Sequence, residues 1–361
     1  MKKIFLVLPV VLYACQVNPG DKPKSGSPLD NLPDHISQIT FFGQRAEFSH
    51  DSRKIMFMEK TCGDVYEYHM ESRIITAVTH HFLHEGFTRV FYLSNGDVLL
   101  SGAREFDAAN PGPSRRNNAE LWVLDGSLTD LPVPLGVKTW EGQAVARNEL
   151  LIAYSKTYKQ YPEIYDWGES QIFIATIDYP DGRPKLVNER VLVDSRKLGI
   201  GNITNVLLEP QNFRPPDNRS LIFSLYFHYL EGENPESMDD HYSSVMEVDI
   251  NTGEITRHTD LYMIHDEPEG IFPDGMHTLM ESNRGNEGGE EGIDIWKLSL
   301  DGKGDAERLT WFQDYRGYKS SNPVVSDDGR YMAFQYAFEG DPPGVGRGLL
   351  IYDFKMVNQR Q

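Results

Sequence analysis

Hydrophobic positions along this chain come in short β-branched and aromatic runs, and stripes of helical period are scarce. The runs are separated by Gly, Pro, Asn, Asp and Ser, which favour turns. Short apolar runs bounded by turn residues predict β-strands. The chain is therefore expected to be nearly all β.

One turn motif recurs. An apolar run is followed by Ser or Pro, then by one or two of Asp, Asn, Gly and Ser, and then by a second apolar run. Asp and Asn bond the local backbone and Gly accepts positive φ, so the motif predicts a tight turn between two antiparallel strands. It occurs in EFSHDSRKIMF (47–57), FYLSNGDVLLSG (91–102), GIFPDGMHTLME (270–281) and PVVSDDGRYMAF (323–334).

A third strand and a weaker, more polar fourth strand follow each motif. Groups of four antiparallel strands thus repeat about every 40 to 65 residues, which is typical of propeller blades. We predict six blades, with the segment HISQITFF (35–42) completing the last one and closing the ring. The predicted blades span 43–79, 80–136, 137–195, 196–260, 261–311 and 312–357.

The turn motif and the strand order resemble the WD40-like repeats of TolB-type six-bladed propellers. The resemblance covers residues 36–357 and is clearest in blades one, five and six. It implies an all-β six-bladed β-propeller of four-stranded antiparallel blades. Such propellers serve as periplasmic scaffolds, binding modules, substrate gates of peptidases and some polysaccharide lyases, so the resemblance indicates architecture more than activity. The Gly-x-Ser-x-Gly motif of a peptidase's hydrolase domain does not occur.

The N-terminus reads MKKIFLVLPVVLYACQ, with Lys2 and Lys3 before an apolar stretch and a small residue before Cys15. The stretch is too short to span a bilayer, and LYAC (12–15) resembles the lipobox of a bacterial lipoprotein signal. The resemblance implies cleavage before Cys15 and its lipidation; an ordinary secretory signal is the alternative. We predict a signal peptide at 1–14, a flexible tether at 15–34 and the propeller at 35–357. The expected location is the bacterial cell envelope, periplasmic or outer-membrane, with the lipid as the only membrane contact.

The 361 residues, 39% of them hydrophobic, are enough for a large core. The 35 Lys and Arg against 54 Asp and Glu give a net charge of −19. A nucleic-acid backbone would be repelled, and a polyanionic sugar is disfavoured. A glycan or an envelope protein is therefore the expected partner of a protein that we expect to be a monomer.

Antiparallel order places the tight turns on one face of the disc and the second-to-third strand loops on the other. The second set is long and varied, and long loops on a rigid frame are where function tends to lie. The site is therefore expected around the central opening of the long-loop face. The long loops are 105–118, 157–170, 230–242, 284–292 and 339–348.

Three of these loops contain candidate ligand-binding features. The aromatic residues Tyr161, Tyr165 and Trp167 could stack on sugar rings or peptide side chains, or simply pack on a neighbouring loop. The acidic segments 231–241 and 285–294 offer hard oxygen ligands, which makes calcium a possible cofactor.

Polar residues also cluster where inner strands begin. Charged side chains at the start of an inner strand are costly to bury unless a ligand or neighbouring cations balance them. The cluster is therefore a binding site or an internal ring of salt bridges. Its ligand-binding candidates are His265, Glu267, Glu269, Asn283 and Arg284 of blade five, together with Arg45, Arg89, Tyr318 and Asn322 of blades one, two and six.

Two functions follow from these residues. The first is ligand binding on the long-loop face with no assigned catalysis. The alternative is a carbohydrate-active enzyme, similar to a polysaccharide lyase, at the same central opening. Proton removal beside a uronate carboxylate needs a base and a neutralising cation, for which the candidates are His265, Arg284, Arg45 and Tyr318.

Overall fold

The computed structural model describes residues 24–200, 203–229, 242–260, 264–285, 292–342 and 344–358. The predicted signal peptide, Cys15 and the first part of the tether lie outside these ranges, as do most residues of the two acidic loops.

The described residues form six four-stranded antiparallel sheets, and the prediction of an all-β fold is confirmed. The strands of blades one to three are β2 Gln44–Phe48, β3 Lys54–Met58, β4 Val65–His69, β5 Ile75–Ala77, β6 Arg89–Tyr92, β7 Val98–Ala103, β8 Ala119–Leu124, β9 Val133–Lys138, β10 Gln143–Val145, β11 Leu151–Thr157, β12 Ser170–Asp178 and β13 Lys185–Asp194. Those of blades four to six are β14 Ile203–Phe213, β15 Ser220–Tyr229, β16 Tyr242–Asp249, β17 Ile255–Arg257, β18 Asp266–Ile271, β19 His277–Ser282, β20 Asp294–Ser299, β21 Ala306–Arg308, β22 Tyr318–Val325, β23 Tyr331–Phe338, β24 Leu349–Asp353 and the N-terminal β1 Ile36–Gln38.

Two short α-helices accompany the sheets in these ranges, α1 Pro111–Arg116 and α2 Phe354–Asn358. Helix α1 lies in the loop between β7 and β8. Within the described part of the chain, no helix has the length and apolar character needed to cross a membrane.

The first strand of every blade contributes to one central channel. A single cavity is lined by residues of β2, β6, β10, β14, β18 and β22. One cavity can touch the leading strand of all six sheets only if the sheets are arranged around it as a ring. The prediction of a six-bladed β-propeller is therefore confirmed.

The ring closes through the N-terminal strand, as the sequence predicted. Strand β1 pairs antiparallel with β24, with Ile36 opposite Tyr352, and completes blade six as its outermost strand. Ile36 is buried in an apolar cluster formed by blades five and six. Closure by the opposite end of the chain covers the edge of β24, which would otherwise be open for pairing.

The hydrophobic core lies between neighbouring blades. One cluster joins Phe48 and Phe57 of blade one to Leu349 and Ile351 of blade six. Because both faces of a middle strand pack on adjacent blades, all six residues of β7 are buried. The three residues of the outer strand β17 are all exposed.

The recurring turn has one structure in blades one and six. The Ser49 hydroxyl donates to Asp51 Oδ1 at 2.7 Å and accepts from the Lys54 backbone N–H at 3.0 Å. Ser326 makes the same pair of bonds, to Asp328 at 2.6 Å and from Tyr331 at 2.9 Å. The side chains thus replace backbone partners that the tight turn cannot supply.

The two kinds of connection lie at opposite ends of the channel. Turn residues His50, Arg147 and Asp327 line the cavity at one end. Loop residues Arg115 and Arg116 line the cavity at the other end. This second end is the long-loop mouth, and function was expected there.

Candidate functional site

The inner strands are bulged where they enter the long-loop mouth. The pairing of β2 with β3 shifts between Gln44 and Glu47, and that of β22 with β23 shifts between Ser321 and Val324. Within these bulges Arg45 has φ 54° and Asn322 has φ 47°. Positive φ is uncommon for residues other than glycine, and a bulge re-aims a side chain. Here both side chains line the mouth of the channel.

A basic cluster occupies one side of this mouth and is built around Glu141, which lies two residues before β10 of blade three. Its carboxylate accepts from Arg45 Nη2 at 3.3 Å, from Arg116 Nε at 3.0 Å and from Arg115. Burial alone would raise the pKa of Glu141, but Arg115, Arg45 and Arg116 together hold it well below its usual range. Since Arg115 and Arg116 belong to α1, Glu141 ties that loop to the channel.

The Arg45 guanidinium is itself buried, with 9% of its side chain exposed. Its Nη1 donates to the backbone oxygen of Thr88 at 2.9 Å. Burial, together with repulsion from Arg89 and Arg115, lowers the pKa of Arg45 to about 9. Arg45 and Arg89 are both buried, and neighbouring buried positive charges are stabilised by carboxylates beside them.

Arg89 bridges from the basic to the acidic side. Its guanidinium lies 3.6 Å from Glu209 Oε1 and 3.8 Å from Glu269 Oε2, distances longer than a direct charge-assisted hydrogen bond. Burial opposes the charge on Arg89, yet Glu269 and Glu209 raise its pKa overall. Arg45, Arg89 and Glu269 line the cavities at both ends, so these side chains separate the two openings of the channel.

The acidic side contains the carboxylates of Glu209, Glu267, Glu269 and Glu281. Burial, followed by repulsion from Glu267, raises the pKa of Glu209 to about 8 and that of Glu281 to about 7. Burial also raises the pKa of Glu269 well above its usual value. Perturbed carboxylates gathered at a cleft are typical of functional sites.

His265 and Glu267 form an ion pair within this group, with Nε2 and Oε2 3.1 Å apart. Burial works against both charges, but the shared hydrogen bond prevails: the pKa of Glu267 is lowered and that of His265 is raised. Glu267 also accepts from the Tyr226 hydroxyl. Asn322 Nδ2 donates to Glu269 Oε1 at 2.9 Å and to Glu281 Oε1 at 3.1 Å.

The structure brings together half of the ligand-binding residues predicted from sequence. Arg45, Arg89, His265, Glu267, Glu269 and Asn322 all line the long-loop mouth. Asn283 lies beside it, where its Oδ1 accepts from the His265 backbone N–H at 3.0 Å.

The remaining predicted residues lie elsewhere. Arg284 is paired with Asp266 at 2.7 Å, and Tyr318 packs on Phe338 with ring centroids 4.7 Å apart. The four residues of the lyase alternative are therefore divided: Arg45 and His265 line the mouth, and Arg284 and Tyr318 do not.

The aromatic loop packs on its neighbours. The Tyr161 hydroxyl bonds to the backbone of Lys138, at 3.0 Å from N and 3.2 Å from O. Tyr165 is buried and donates to Gln171, whereas Trp167 is 45% exposed. This geometry fits the alternative that the loop packs on a neighbour. The loop contacts residues of the mouth through Lys159, which lies over the Trp140 ring at 4.4 Å, and through Gln160, which donates to the backbone oxygen of Arg116.

Sequence reasoning missed several residues of the site. Glu141 lies two residues before the inner strand β10, but blade three lacks the turn motif that marks the inner strands of other blades. Glu209 could have been found as the lone acid in the inner-strand run NVLLEPQNF. Arg115 and Arg116 give no local signal, because only the fold of the 105–118 loop brings them to the channel.

Comparisons with known proteins place the chain among propellers of low similarity. No family model and no curated protein matches the sequence. Solved structures similar to it include the putative TolB from Agrobacterium tumefaciens, at 16% identity and TM-score 0.48, covering 81% of this chain and 98% of that one. TolB from Acinetobacter baumannii is 12% identical with TM-score 0.46, covering 93% and 73%. An oligogalacturonate lyase from Vibrio parahaemolyticus is 13% identical with TM-score 0.45, covering 83% and 73%.

All three TM-scores are below 0.5, and all three identities are below 25%. Likeness at this level supports no conclusion about function. Function is therefore inferred from the chemistry of the residues that line the long-loop mouth.

Proposed function

We propose that this protein is a lipid-anchored propeller of the bacterial cell envelope that binds a ligand, a glycan or an envelope protein, at the long-loop mouth of its channel. One observation supports the binding site above all. Buried charges of both signs converge on an open mouth, and two of the carboxylates there, Glu209 and Glu269, have raised pKa values. Isolating charges from water costs free energy, so such a group is expected where a ligand completes its interactions.

The division of charge indicates how a ligand would be held. Guanidiniums of Arg45, Arg115 and Arg116 lie on one side, and Glu209, Glu267 and Glu269 lie on the other. A polar ligand with donors at one end and acceptors at the other would match both sides. The hydroxyl of Tyr226, which donates to Glu267, would add a hydrogen-bond acceptor at the same mouth.

The binding site is tested by calorimetry of the purified protein against cell-wall fragments, host glycans and envelope proteins. Arg116→Gln is the diagnostic variant, because its side chain is 40% exposed and lines the mouth. Arg104→Gln is the matched control on the same connection, since that residue is 55% exposed and pairs with Glu120 outside the mouth. We expect Arg116→Gln to weaken binding and Arg104→Gln to leave it unchanged. Equal effects would place the ligand elsewhere, and turnover of a bound ligand would refute a purely binding role.

The lipid anchor rests on the N-terminal sequence and is tested separately. Cys15→Ala should move the protein from the membrane fraction to the soluble fraction and abolish labelling by a fatty-acid analogue. A membrane-bound, labelled Cys15→Ala protein would contradict lipidation at this position. The lyase alternative has no comparable observation in its favour.

A further inference from the structure

Three side chains of blade five meet on one face of its sheet. His265 and Glu267 are two residues apart along the chain, so their side chains point the same way. Glu281 of β19 is the cross-strand partner of Glu267. Directly opposed residues of an antiparallel pair share a face with their Cβ atoms about 5 Å apart. Ligand atoms of His265, Glu267 and Glu281 accordingly lie within 4.8 Å of one another.

The intervening residue shows the alternation of the strand. Asp266 pairs in register with Ser282 and lies on the opposite face. There it accepts from the Ser282 hydroxyl at 2.7 Å and from Arg284 Nη2 at 2.7 Å. Asp266 is therefore fully engaged by its own partners. The face with His265, Glu267 and Glu281 has no such arginine on its two strands.

Each of the three side chains is held through one atom by a neighbouring element. The Ser243 hydroxyl lies 3.3 Å from His265 Nδ1, the Tyr226 hydroxyl donates to Glu267 Oε1, and Asn322 Nδ2 donates to Glu281 Oε1 at 3.1 Å. The partners come from β16, β15 and β22, so two other blades orient the group. A second set of residues that fixes each ligand through its outer atom is characteristic of metal sites.

The remaining atoms face one another. His265 Nε2 lies 3.1 Å from Glu267 Oε2. Glu281 is 5% exposed, and its Oε2 accepts no hydrogen bond from any residue in the described ranges. Glu281 Oε2 is therefore available as a ligand atom for a cation held between the three side chains.

We propose that His265, Glu267 and Glu281 bind a divalent transition-metal ion of the Zn²⁺ or Mn²⁺ class. One imidazole and two carboxylates suit these ions, whereas calcium takes a larger number of oxygen ligands. Three protein ligands leave at least one position open, and His265 and Glu267 line the long-loop mouth. The metal site requires no knowledge of the ligand proposed above, and its test uses the metal alone.

Chelator-treated wild-type protein is titrated with ZnCl₂, MnCl₂ and CaCl₂ by calorimetry, and the unfolding temperature is followed with each metal. We expect one Zn²⁺ or Mn²⁺ per chain and a higher unfolding temperature with that metal. Glu281→Gln keeps the shape and removes the charge, and it should weaken binding about tenfold or more. Asp274→Asn is the control, because Asp274 faces His277 at 3.8 Å in the exposed turn of the same blade; it should bind metal as the wild type does.

A second measurement uses the wild-type protein, so its outcome does not depend on correct folding of the Glu281→Gln variant. Zn²⁺ should protect His265, but not the more exposed His277, from carbethoxylation by diethylpyrocarbonate, as read by peptide mass spectrometry. No binding of Zn²⁺ or Mn²⁺ up to millimolar concentration would overturn the proposal. Stabilisation by Ca²⁺ alone would also overturn it, as would normal Zn²⁺ binding in Glu281→Gln with His265 left unprotected.

Discussion

Replacing Glu141 by glutamine tests how the long-loop mouth is held together. The substitution keeps the size of the side chain and removes the one negative charge that Arg45, Arg115 and Arg116 share. Glu141 is 8% exposed, so solvent cannot take over its role. The amide oxygen of glutamine can still accept one hydrogen bond, but the buried Arg45 loses its nearest countercharge.

The expected cost follows from burial. Removing one partner of a buried ion pair typically costs about 3–5 kcal/mol, because the other charge stays buried and uncompensated. The Arg116 side chain is 40% exposed, and its pair should contribute less than about 1 kcal/mol. Since an amide retains part of the hydrogen bonding to Arg45, we expect a loss of about 3 kcal/mol in the free energy of unfolding.

Two assays check this value and its structural cause. Urea unfolding followed by circular dichroism gives the change in stability. Limited trypsin digestion reports on the 105–118 loop, which should be cut faster at Arg115 and Arg116 once α1 is released. Glu120→Gln is the control, since Glu120 pairs with Arg104 at 2.8 Å and that arginine is 55% exposed; it should cost less than about 1 kcal/mol.

Equal losses of stability in Glu141→Gln and Glu120→Gln would refute a central role for Glu141. A wild-type trypsin pattern in Glu141→Gln would refute it as well. In either case the basic cluster would be maintained by contacts other than Glu141.

Three further predictions concern the frame. Ile36→Ala should lower the free energy of unfolding by about 2–4 kcal/mol, because Ile36 of the closing strand is 5% exposed and packs between blades five and six. An unchanged midpoint of urea unfolding would argue against closure through β1. Burial opposes ionisation of Glu247, but bonds from partners including His258 lower its pKa to about 2, below its unfolded value. The stability advantage of the wild type over Glu247→Gln should therefore be full above about pH 5 and shrink as pH falls through 4.5 towards 2; a constant difference across that range would contradict the shift. Gly86→Ala should destabilise strongly in thermal unfolding, since Gly86 has φ 86° and an added Cβ would lie 2.1 Å from the Cys62 carbonyl carbon; a wild-type melting temperature would show that this contact can relax.

Local sequence was enough to predict the architecture. The Ser49 and Ser326 turns are formed by side chains that bond to the backbone within five residues, so the turn motif itself contains both partners of each hydrogen bond. The order of four strands per blade follows from chain connectivity. The closing strand was also predictable, because HISQITFF has the pattern of an outer strand and only blade six lacked one.

The residues of the long-loop mouth were predictable only in part. Arg45, Arg89 and Asn322 were identified by their place near the predicted start of an inner strand, because the same place in each repeat reaches the same end of the channel. The aromatic residues predicted in the 157–170 loop do not line the mouth. The Tyr161 hydroxyl, for example, bonds to the backbone of the adjacent blade instead.

Sequence alone therefore determined the strands, the tight turns, the number of blades and the rim on which the site was expected. Tertiary structure alone decided which charges meet: Arg89 and Glu269 are far apart in the chain yet lie 3.8 Å apart across the channel. It also placed α1 against Glu141 and set Glu281 opposite Glu267. The physical reason is the separation in sequence of the residues that interact. Turns and strands depend on neighbours a few residues away, whereas charges in the channel interact only after six sheets have closed into a ring.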